Sequence, residues 1–447
     1  MTPPGFHTTN RPQSWGRTIR GSVNLARPRF LDEISPLASA AQLAGSTLLA
    51  TGLGRSYGDS GLNFGHAAID MVGLDRVIAF DAETGVLRGE AGLSLSEVIR
   101  RVVPAGWFLP TTPGTRFVTL GGAVANDVHG KNHHQAGAFG VSVRRLGLWR
   151  SDRGLIELSR EHNSEIFEAT IGGLGLTGVI LWVEIQLVRI GSSRLDVETI
   201  PFAHLDEFLD LALESEERFE HTVAWVDCSR RGKGFGRGVF TRADWRSDAV
   251  FAVHDDRRRA SMPFDLPDLT INRLSVAAFN ALYYSLQASR PRLQVQTYTQ
   301  AFHPLDAIGE WNRIYGARGF YQFQCVTPFS AGMAPIRALL AAIAEAGAGS
   351  FLTVLKTFGD RPSPGLLSFP RPGITLAIDF ANRGDNTLTL LSSMDEIVMN
   401  AGGRLYPAKD GRMPPSMFRA GYPQLEQFVR WIDPACSSNF WRRMQHG

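Results

Sequence analysis

Hydrophobic and polar residues follow two different periods along the first 190 positions of the chain. Apolar runs at 46–53 and 67–71, and an alternating stretch at 77–92 with a turn at its centre, predict short strands, the last of them a hairpin. Ser94 then precedes apolar residues at helical spacing. This predicts a helix with Ser94 as its N-cap, Glu97 completing a capping box, and one apolar face made of Leu95, Val98, Ile99 and Val102. Strands outnumber helices here, so we expect an α+β fold.

Beyond residue 190 the pattern predicts an antiparallel sheet covered by helices. Helical spacing occurs at 205–217, which is acidic, and at about 333–346 and 388–401. Alternating residues predict strands at 222–226, 293–301, 321–326, 351–358 and 374–380. A chain of 447 residues is too long for one ordinary core, so we expect two domains. Their predicted bounds are 1–190 and 191–403, with 404–447 returning to the first domain.

One polar stretch, residues 229–273, interrupts this second half. It contains ten Lys or Arg against six Asp or Glu, including three consecutive arginines at 257–259. Two hypotheses fit this composition equally well. The stretch is either a solvated loop or a basic lid that faces an anionic ligand or anionic lipid head groups.

Composition and charge exclude several classes of protein. The chain is 44% hydrophobic and 20% charged, as expected for a soluble globular protein, and its net charge of +3 is too small to indicate a nucleic-acid partner. Cys228, Cys325 and Cys436 are widely spaced and odd in number, which favours reduced thiols over a disulfide or zinc framework.

The sequence also predicts neither a cleaved secretion signal nor a membrane-spanning helix. The first ten residues lack a basic start and an apolar core. The longest apolar candidate, 274–286, contains Asn280 and is shorter than the roughly 20 residues that cross a bilayer. We expect a protein of the cytoplasm or one attached peripherally to an inner membrane, on either face.

The densest candidate chemistry lies in the glycine-rich stretch 113–134. Its glycines allow backbone to approach a ligand closely, while His129, Lys131, His133 and His134 can hold a proton or an anion near neutral pH. A second glycine loop occupies 52–59. Together the two segments predict a large, phosphate-bearing cofactor lying along backbone N–H groups.

Two alternative sites are disfavoured. Residues 173–178 match G-x-G-x-x-G, but a helical pattern precedes them and a strand pattern follows, the reverse of the order in a dinucleotide-binding unit. His129 and His133 stand four apart, yet Gly130 and Asn132 weaken the helix that would place both on one face. Histidines that form hydrogen bonds within a loop are favoured over ligands, so no metal is predicted.

Several blocks carry a family resemblance. Glu90-Ala91-Gly92, Leu109 to Gly114, Val118 to Ala123 and His129-Gly130 resemble the cofactor core of the FAD-dependent oxidases of the vanillyl-alcohol oxidase type. The resemblance implies a two-domain p-cresol methylhydroxylase-type fold, with FAD bound by the first domain and an antiparallel-sheet substrate domain.

Further blocks at 14–17, 52–59, 127–134, 367–370 and 403–410 resemble the branch of this family that acts on polyprenyl-phosphate-linked ribofuranose. This resemblance implies oxidation of the C2 hydroxyl to a 2-keto sugar. An NAD(P)H-dependent short-chain reductase would then complete the epimerisation to the arabinose donor of cell-envelope glycan synthesis, at an anionic membrane surface. The alternatives are a soluble FAD-dependent sugar-alcohol or aldonolactone oxidase, and a non-catalytic flavin- or glycan-binding protein.

The resemblance also implies individual site residues. For FAD it implies the glycine loop, the segment 114–129 and two later positions: Gly52, Leu53, Gly54, Arg55, Ser56, Tyr57, Gly58, Asp59, Ser60, Gly114, Thr119, Leu120, Gly121, Gly122, Asn126, Asp127, Val128, His129, Ile180 and Tyr406. For the substrate it implies Lys131, Trp225, Gln322, Gln324, Lys356, Phe358 and Asp379.

Departures from the family pattern and the chemistry of the reaction refine this list. Arg55 stands where covalently flavinylated relatives have the linking histidine, so we expect non-covalent FAD, and Ala377 and Thr375 replace a cysteine and an asparagine. Lys409 is the first candidate for the group that takes the hydroxyl proton, and His129 is the second. Equally, Lys409 would suit pairing with the reduced flavin or the substrate phosphate.

Overall fold

A computed structural model describes residues 2–254 and 260–445. Its strands are β1 His7–Thr9, β2 Val23–Ala26, β3 Leu48–Thr51, β4 Ala67–Asp70, β5 Val77–Asp81, β6 Val86–Glu90, β7 Trp107–Phe108, β8 Val143–Arg150, β9 Gly154–Ser159, β10 Val179–Gln186, β11 Val188–Arg189, β12 Arg194–Phe202, β13 His221–Val226, β14 Gly238–Trp245, β15 Ala260–Ser261, β16 Leu293–Thr297, β17 Ile308–Gly309, β18 Phe320–Thr327, β19 Thr353–Phe358, β20 Gly373–Ala381 and β21 Arg404–Leu405. The α-helices are α1 Ile34–Leu43, α2 Leu95–Val102, α3 Leu120–Ala125, α4 His133–Ala136, α5 Ser164–Thr170, α6 Leu205–Glu216, α7 Arg273–Ala288, α8 Tyr298–Phe302, α9 Ala334–Ala346, α10 Asp385–Asn400, α11 Pro415–Gly421, α12 Leu425–Val429 and α13 Asn439–Gln445.

Two sheets organise the first part of the chain. The first has the order β1-β2-β4-β3, with β2 and β3 parallel to β4, and the second is antiparallel in the order β5-β6-β10-β8-β9. Their apolar faces share one core with the inner faces of α2 and α3. The α+β prediction is confirmed, and the glycine loop 52–59 begins directly where β3 ends.

The hairpin and the first long helix have the local structure that their sequences predict. β5 and β6 pair antiparallel, and the Ser94 hydroxyl accepts a hydrogen bond from the Glu97 N–H at 3.1 Å. All four residues of the apolar face are buried. The predicted capping box is wrong in its second hydrogen bond, from the Ser94 backbone N–H to the Glu97 side chain. The Glu97 carboxylate pairs instead with Arg100 in the same helix.

An eight-stranded antiparallel sheet dominates the second part, in the order β16-β12-β14-β13-β19-β20-β18-β21. Helices α6, α9 and α10 contribute apolar residues to the core on one face of the sheet. The opposite face carries Gln322, Gln324 and Lys356 toward the first sheet and its loops. This arrangement places the functional candidates of the second half against the glycine loops of the first.

The polar stretch 229–273 contains a central strand rather than only a loop or lid. β14 lies between β12 and β13, with Val239, Phe240 and Ala243 buried. Arg242 is tolerated there because Glu198 and Glu214 accept its hydrogen bonds at 2.5 and 3.1 Å. The loop and lid hypotheses are therefore wrong for this part of the stretch. The arginines at 257–259 lie outside the described residues.

The predicted strand at 293–301 is also wrong in its second half. β16 ends at Thr297, where α8 begins. The Thr297 side chain accepts from the Gln300 backbone N–H, and the Gln300 side-chain Oε1 accepts from the Thr297 backbone N–H at 3.0 Å, which forms a capping box. A good cap therefore outweighs the alternation of the preceding strand.

The last segment contacts both halves of the molecule. β21 pairs with β18 in the large sheet, whereas the Leu48 N–H donates to the Ala435 oxygen at 2.7 Å beside the first sheet. Arg443 pairs with Asp59 at 2.8 Å. We keep the division at residues 190 and 403 as a proposed domain organisation. Among the described residues, no helix has the length and apolarity that crossing a membrane requires.

Candidate active site

One cavity of about 540 Å³ lies between the glycine loops and the large sheet. Most of the predicted residues line it: Gly52, Leu53, Gly54, Arg55, Ser56, Tyr57, Gly58, Ser60, Gly114, Thr119, Gly121, Gly122, Asn126, Val128, His129, Lys131, Ile180, Gln322, Gln324, Lys356, Tyr406 and Lys409. The volume falls in the range of about 300–1,000 Å³ that is typical of ligand sites. Residues more than 350 positions apart in sequence thus meet at one site.

Three of the predicted cofactor residues lie behind the wall. Asp59 is held by Arg443, and Leu120 is buried in the core of the first domain. Asp127 accepts from the Gly140 N–H at 2.7 Å and from the Ser368 hydroxyl at 2.5 Å, and burial raises its pKa. These three side chains pack or bond within the protein rather than line the cavity.

Three of the predicted substrate residues are also set back from the cavity. The Trp225 indole N–H donates to the Phe351 oxygen at 2.9 Å. The Phe358 ring packs on the His129 ring with a centroid distance of 4.8 Å. Asp379 accepts from the Gln322 Nε2 at 2.6 Å. Each of the last two therefore supports a side chain that does line the cavity.

The cofactor end of the cavity consists largely of backbone. Gly54 has a φ of +64°, which favours glycine, and a Cβ on Gly52 would lie 2.5 Å from the Thr119 hydroxyl oxygen. The N–H groups of Gly54 and Ser56 donate no hydrogen bond to another described residue. This loop is therefore open to a ligand with several acceptor oxygens.

Two serine hydroxyls indicate the same ligand chemistry. Ser14 and Ser60 are buried in the wall, and neither hydroxyl has a hydrogen-bond partner among the residues that the structure describes. A buried hydroxyl without a partner costs free energy, so a bound group that supplies acceptors stabilises it. The pyrophosphate of FAD is such a group, and the loop and hydroxyls fit it. Ser14 is missing from the predicted residues although the block 14–17 was part of the family resemblance.

The turn between α5 and β10 adds further glycines to the cofactor end. Helix, loop and strand follow in that order, which confirms that residues 173–178 are not a dinucleotide-binding unit. Gly175 and Gly178 line the cavity with φ values of +75° and +138°. The sequence analysis took only Ile180 from this turn, although the glycines themselves were the available signal.

Lysine is concentrated in the wall of this cavity. The chain contains only four lysines, and three of them, Lys131, Lys356 and Lys409, line the cavity. The fourth, Lys233, is exposed. Burial lowers the pKa of Lys131 and Lys409 to about 8 and that of Lys356 to about 7. Lysine gains or loses its charge near neutral pH in such a place, which arginine does not do.

Lys409 has an aromatic and an acidic neighbour. Its Nζ lies 3.9 Å from the centroid of the Tyr57 ring. The nearby Asp379 favours the charged lysine, while burial raises the pKa of the Asp379 carboxyl to about 7. These opposed shifts place one amine and one carboxyl close to the pH at which each exchanges a proton.

His129 joins two of the polar residues into one network. Its Nε2 lies 2.9 Å from the Gln324 Nε2, and its Nδ1 lies 3.2 Å from the Lys356 Nζ. Lys356 also donates to the Gly130 oxygen at 3.1 Å. Burial, followed by the charge of Lys356, holds the His129 pKa well below its ordinary value, so the ring is neutral.

The hydrogen bonds of this network determine where its protons lie. An amide NH2 only donates, so with this amide orientation the ring proton of His129 lies on Nδ1 and the Lys356 amine accepts it. An ammonium at Lys356 can only donate to Nδ1, which moves the ring proton to Nε2 and requires the Gln324 oxygen to face the ring. The charge of Lys356 and the orientation of the Gln324 amide are therefore coupled.

The remaining histidines near the site are structural. Burial lowers the pKa of His133, His221 and His303 to about 3, so each is neutral. Across residues 2–254 and 260–445, no group of three or more His, Cys, Asp or Glu has the arrangement of a metal site.

Comparisons with known proteins agree with the geometry. A family model described as an FAD binding domain matches residues 24–159. The chain is 34% identical to the decaprenylphosphoryl-β-D-ribose oxidase of Mycolicibacterium smegmatis, over 98% of each protein. It is 31% identical to an uncharacterized Streptomyces coelicolor protein, over 75% of this chain and 94% of the relative. It is also 28% identical to the L-gulonolactone oxidase of Mus musculus, over 39% of this chain and 40% of that enzyme.

Proposed function

The chain belongs to the family of FAD-dependent oxidases that includes decaprenylphosphoryl-β-D-ribose oxidase, and we propose that it oxidises the C2 hydroxyl of a polyprenyl-phosphate-linked ribofuranose to a ketone. The observation that carries this proposal is the placement of three of the four lysines around one cavity. A neutral sugar needs no such concentration of positive charge, whereas a phosphodiester or phosphate does.

FAD is the cofactor, and the residues of the cofactor end are suited to hold it without a covalent bond. The glycine loop offers unpaired N–H groups and the Ser14 and Ser60 hydroxyls. Arg55 cannot form the histidyl bond of covalently flavinylated relatives, and its guanidinium instead lies 4.2 Å from the centroid of Trp15. When bound, FAD accepts the hydride that leaves the sugar carbon.

We assign Lys409, in its neutral form, as the group that accepts the proton of the sugar hydroxyl. Its lowered pKa of about 8 provides a free amine at mildly basic pH, and burial keeps bulk water from competing for the proton. His129 is the second candidate. Its Nε2 and Nδ1 face Gln324 and Lys356, so taking a proton there would require both partners to rearrange.

Lys131 and Lys356 are assigned to the phosphate. Both are buried, and both line the cavity. Gln322 and Gln324 point from one face of β18 into the same space, where their amides suit the sugar hydroxyls. A bound anion stabilises the ammonium forms of Lys131 and Lys356, so binding of the substrate favours protonation of these lysines.

We further propose two partners for this reaction. The 2-keto product is suited to an NAD(P)H-dependent short-chain reductase, which would return a hydride to C2 from the opposite side and yield the arabinose donor. The lipid-linked substrate requires access to a membrane, and we propose peripheral attachment to an anionic surface of the inner membrane. Nucleic acid has no role in this scheme.

An aldonolactone or sugar-alcohol oxidase is the competing function, because the shorter match to L-gulonolactone oxidase covers part of this chain. Its substrates are neutral, which leaves the buried lysines unexplained. A non-catalytic role is set aside, because the named relatives are oxidases or dehydrogenases.

Anaerobic titration of the purified yellow protein separates these functions. Addition of a polyprenyl-phosphoribose is expected to bleach the flavin absorbance, while L-gulonolactone and xylitol leave it unchanged. Bleaching by gulonolactone alone would assign the chain to the lactone oxidases. A colourless protein that rejects added FAD would contradict the proposal altogether.

A further inference from the structure

Helix α7 presents an apolar face to solvent. Leu274, Phe279, Leu282 and Leu286 lie along its outer side and are exposed by 80%, 45%, 60% and 48%. A soluble surface helix normally turns such residues toward the core. Their exposure at helical spacing forms a continuous patch rather than scattered single residues.

The inner side of α7 fixes this orientation. Asn280 is fully buried, and its amide donates to the Asp227 carboxylate and to the Ser350 oxygen, both at 3.1 Å. Val276 packs in a small core with Trp15. The helix therefore cannot rotate its leucines inward without breaking buried hydrogen bonds, so the outer face is left for another occupant.

Charge around the helix is one-sided. Residues 269–305 contain no Asp or Glu, yet they contain Arg273, Arg290 and Arg292. Arg292 pairs with Glu198 at 2.5 Å, whereas Arg273 is exposed at the first position of α7. A cation at a helix N-terminus opposes the helix dipole, so Arg273 does not serve helix stability. Arginines that flank an apolar patch complement anionic lipid head groups.

We call the exposed side of α7, with Leu274, Phe279, Leu282 and Leu286, the apolar ridge. The edge strand β16, which follows α7, is not part of it, because Leu293 and Val295 lie opposite Glu198 and Asp196 on the other face of the sheet.

The apolar ridge adjoins the cavity. Phe279 packs on Phe351 with a centroid distance of 5.0 Å, and the next residue, Leu352, lines the cavity. Tyr283 packs on Trp225 at 4.7 Å, two residues from Val223 in the cavity wall. A ligand tail that leaves the cavity on this side meets the base of the ridge.

We propose that the apolar ridge inserts into the interfacial layer of an anionic bilayer, so that the protein lies on the membrane with its cavity opening toward the lipid. The leucines and Phe279 enter the acyl boundary, and Arg273 and Arg290 contact the head groups, as in other interfacial helices. This inference rests on the proposed function for the identity of the lipid substrate, but membrane binding itself is independent of turnover.

Vesicle sedimentation of the full-length, FAD-loaded protein tests the ridge. Wild type is expected to bind vesicles of three parts phosphatidylcholine to one part phosphatidylglycerol more tightly than pure phosphatidylcholine. The triple variant Leu274→Gln/Leu282→Gln/Leu286→Gln should weaken binding by about 100-fold, because each leucine loses part of its transfer free energy. Arg273→Gln/Arg290→Gln should remove the preference for anionic vesicles.

A matched control uses exposed leucines elsewhere. Leu43, Leu155 and Leu213 are 91%, 61% and 53% exposed on other elements, so their triple change to Gln should leave vesicle binding intact. Equal loss in both triple variants, or no loss in the first, would overturn the proposal. The proposal would also be overturned if the wild type formed a dimer in solution and only the ridge substitutions dissociated it. The ridge would then be covered by a second copy of the chain.

A water-soluble substrate with a short prenyl chain separates this inference from the proposed function. The ridge variant should reduce its flavin with that substrate at the wild-type rate while failing to bind vesicles. Vesicle binding without any flavin reduction would reject the proposed function and leave the ridge standing. Normal flavin reduction without vesicle binding by wild type would reject the ridge alone.

Discussion

The two ends of the cavity recognise their ligands by opposite means. The cofactor end uses backbone and glycine, where a Cβ at Gly52 or Gly58 would collide with Thr119 or with the Asp410 backbone. The sugar end uses buried, titratable side chains led by Lys356 and Lys409. The cofactor end depends on close backbone packing, whereas the sugar end depends on lysine pKa values that burial lowers. Substitutions at the two ends should therefore have different effects.

The largest effect is expected at the cofactor end from Gly58→Ala. The new Cβ would lie 1.5 Å from the Asp410 oxygen, a backbone atom that cannot move aside cheaply. We expect little folded, FAD-loaded protein, measured by the flavin absorbance of the purified fraction. Gly61→Ala in the same loop, where the nearest atoms are 4.0 Å away on Ser56, should fold normally. Equal recovery of both variants would contradict the fixed shape of this end.

At the sugar end, Lys409→Met should lower kcat by about 10²- to 10⁴-fold and leave FAD in place, because the hydroxyl proton loses its acceptor. Rapid-mixing measurement of flavin reduction checks the rate, and the flavin spectrum checks the cofactor. Lys233→Met, at the one lysine away from the cavity, is the matched control and should behave as wild type. A Lys409 variant that reduces its flavin at the wild-type rate would remove this residue from the mechanism.

Lys356→Met should raise the KM for the phosphorylated substrate by about 10- to 100-fold with a smaller change in kcat, as expected for a lost charged hydrogen bond. The pKa of about 7 means that Lys356 is charged below pH 7 and neutral above it. The wild-type KM for the phosphorylated substrate should therefore rise as the pH increases through about 7. Lys356→Arg stays charged and should delay this rise in KM to about pH 8, where Lys131 titrates. Identical pH profiles would contradict the assignment.

The smallest effect is expected from Asp379→Asn. Asp379 does not line the cavity, but its charge raises the Lys409 pKa and its carboxyl orients Gln322. Removing the charge lowers the Lys409 pKa, so the rise of kcat with pH should shift to lower pH with a change of only a few fold in its maximum. A merely structural role would lower stability without moving the profile. Thermal melting in parallel with the pH series distinguishes the two.

Local chemistry explains what the sequence predicted well. The helix after Ser94 depends on its own cap and spacing, and the loop after β3 depends on its own glycines. β14 was missed because the pattern around Arg242 is typical of an exposed loop. Its hydrogen-bond acceptors, Glu198 and Glu214, are 44 and 28 residues away in the sequence. Partners that are distant in sequence are invisible to a local pattern.

The sugar end shows the same limit. Lys356 lies opposite Thr375 and Gln324 opposite Ala377 only because β18, β20 and β19 are adjacent in the sheet. Family resemblance supplied these residues, while spacing along the chain did not. The resemblance could not show how far each side chain lies from the cavity. Trp225 was therefore predicted at the substrate, although its indole N–H donates to the Phe351 oxygen.

We propose that hydride leaves C2 of a polyprenyl-phosphate-linked ribose at this cavity. Anaerobic flavin reduction by polyprenyl-phosphoribose carrying deuterium at C2, compared with deuterium at C3, tests it most directly. We expect slower reduction with the C2 label alone, together with a 2-keto product. Slower reduction with the C3 label together with a 3-keto product, or no reduction by either substrate, would contradict this proposal.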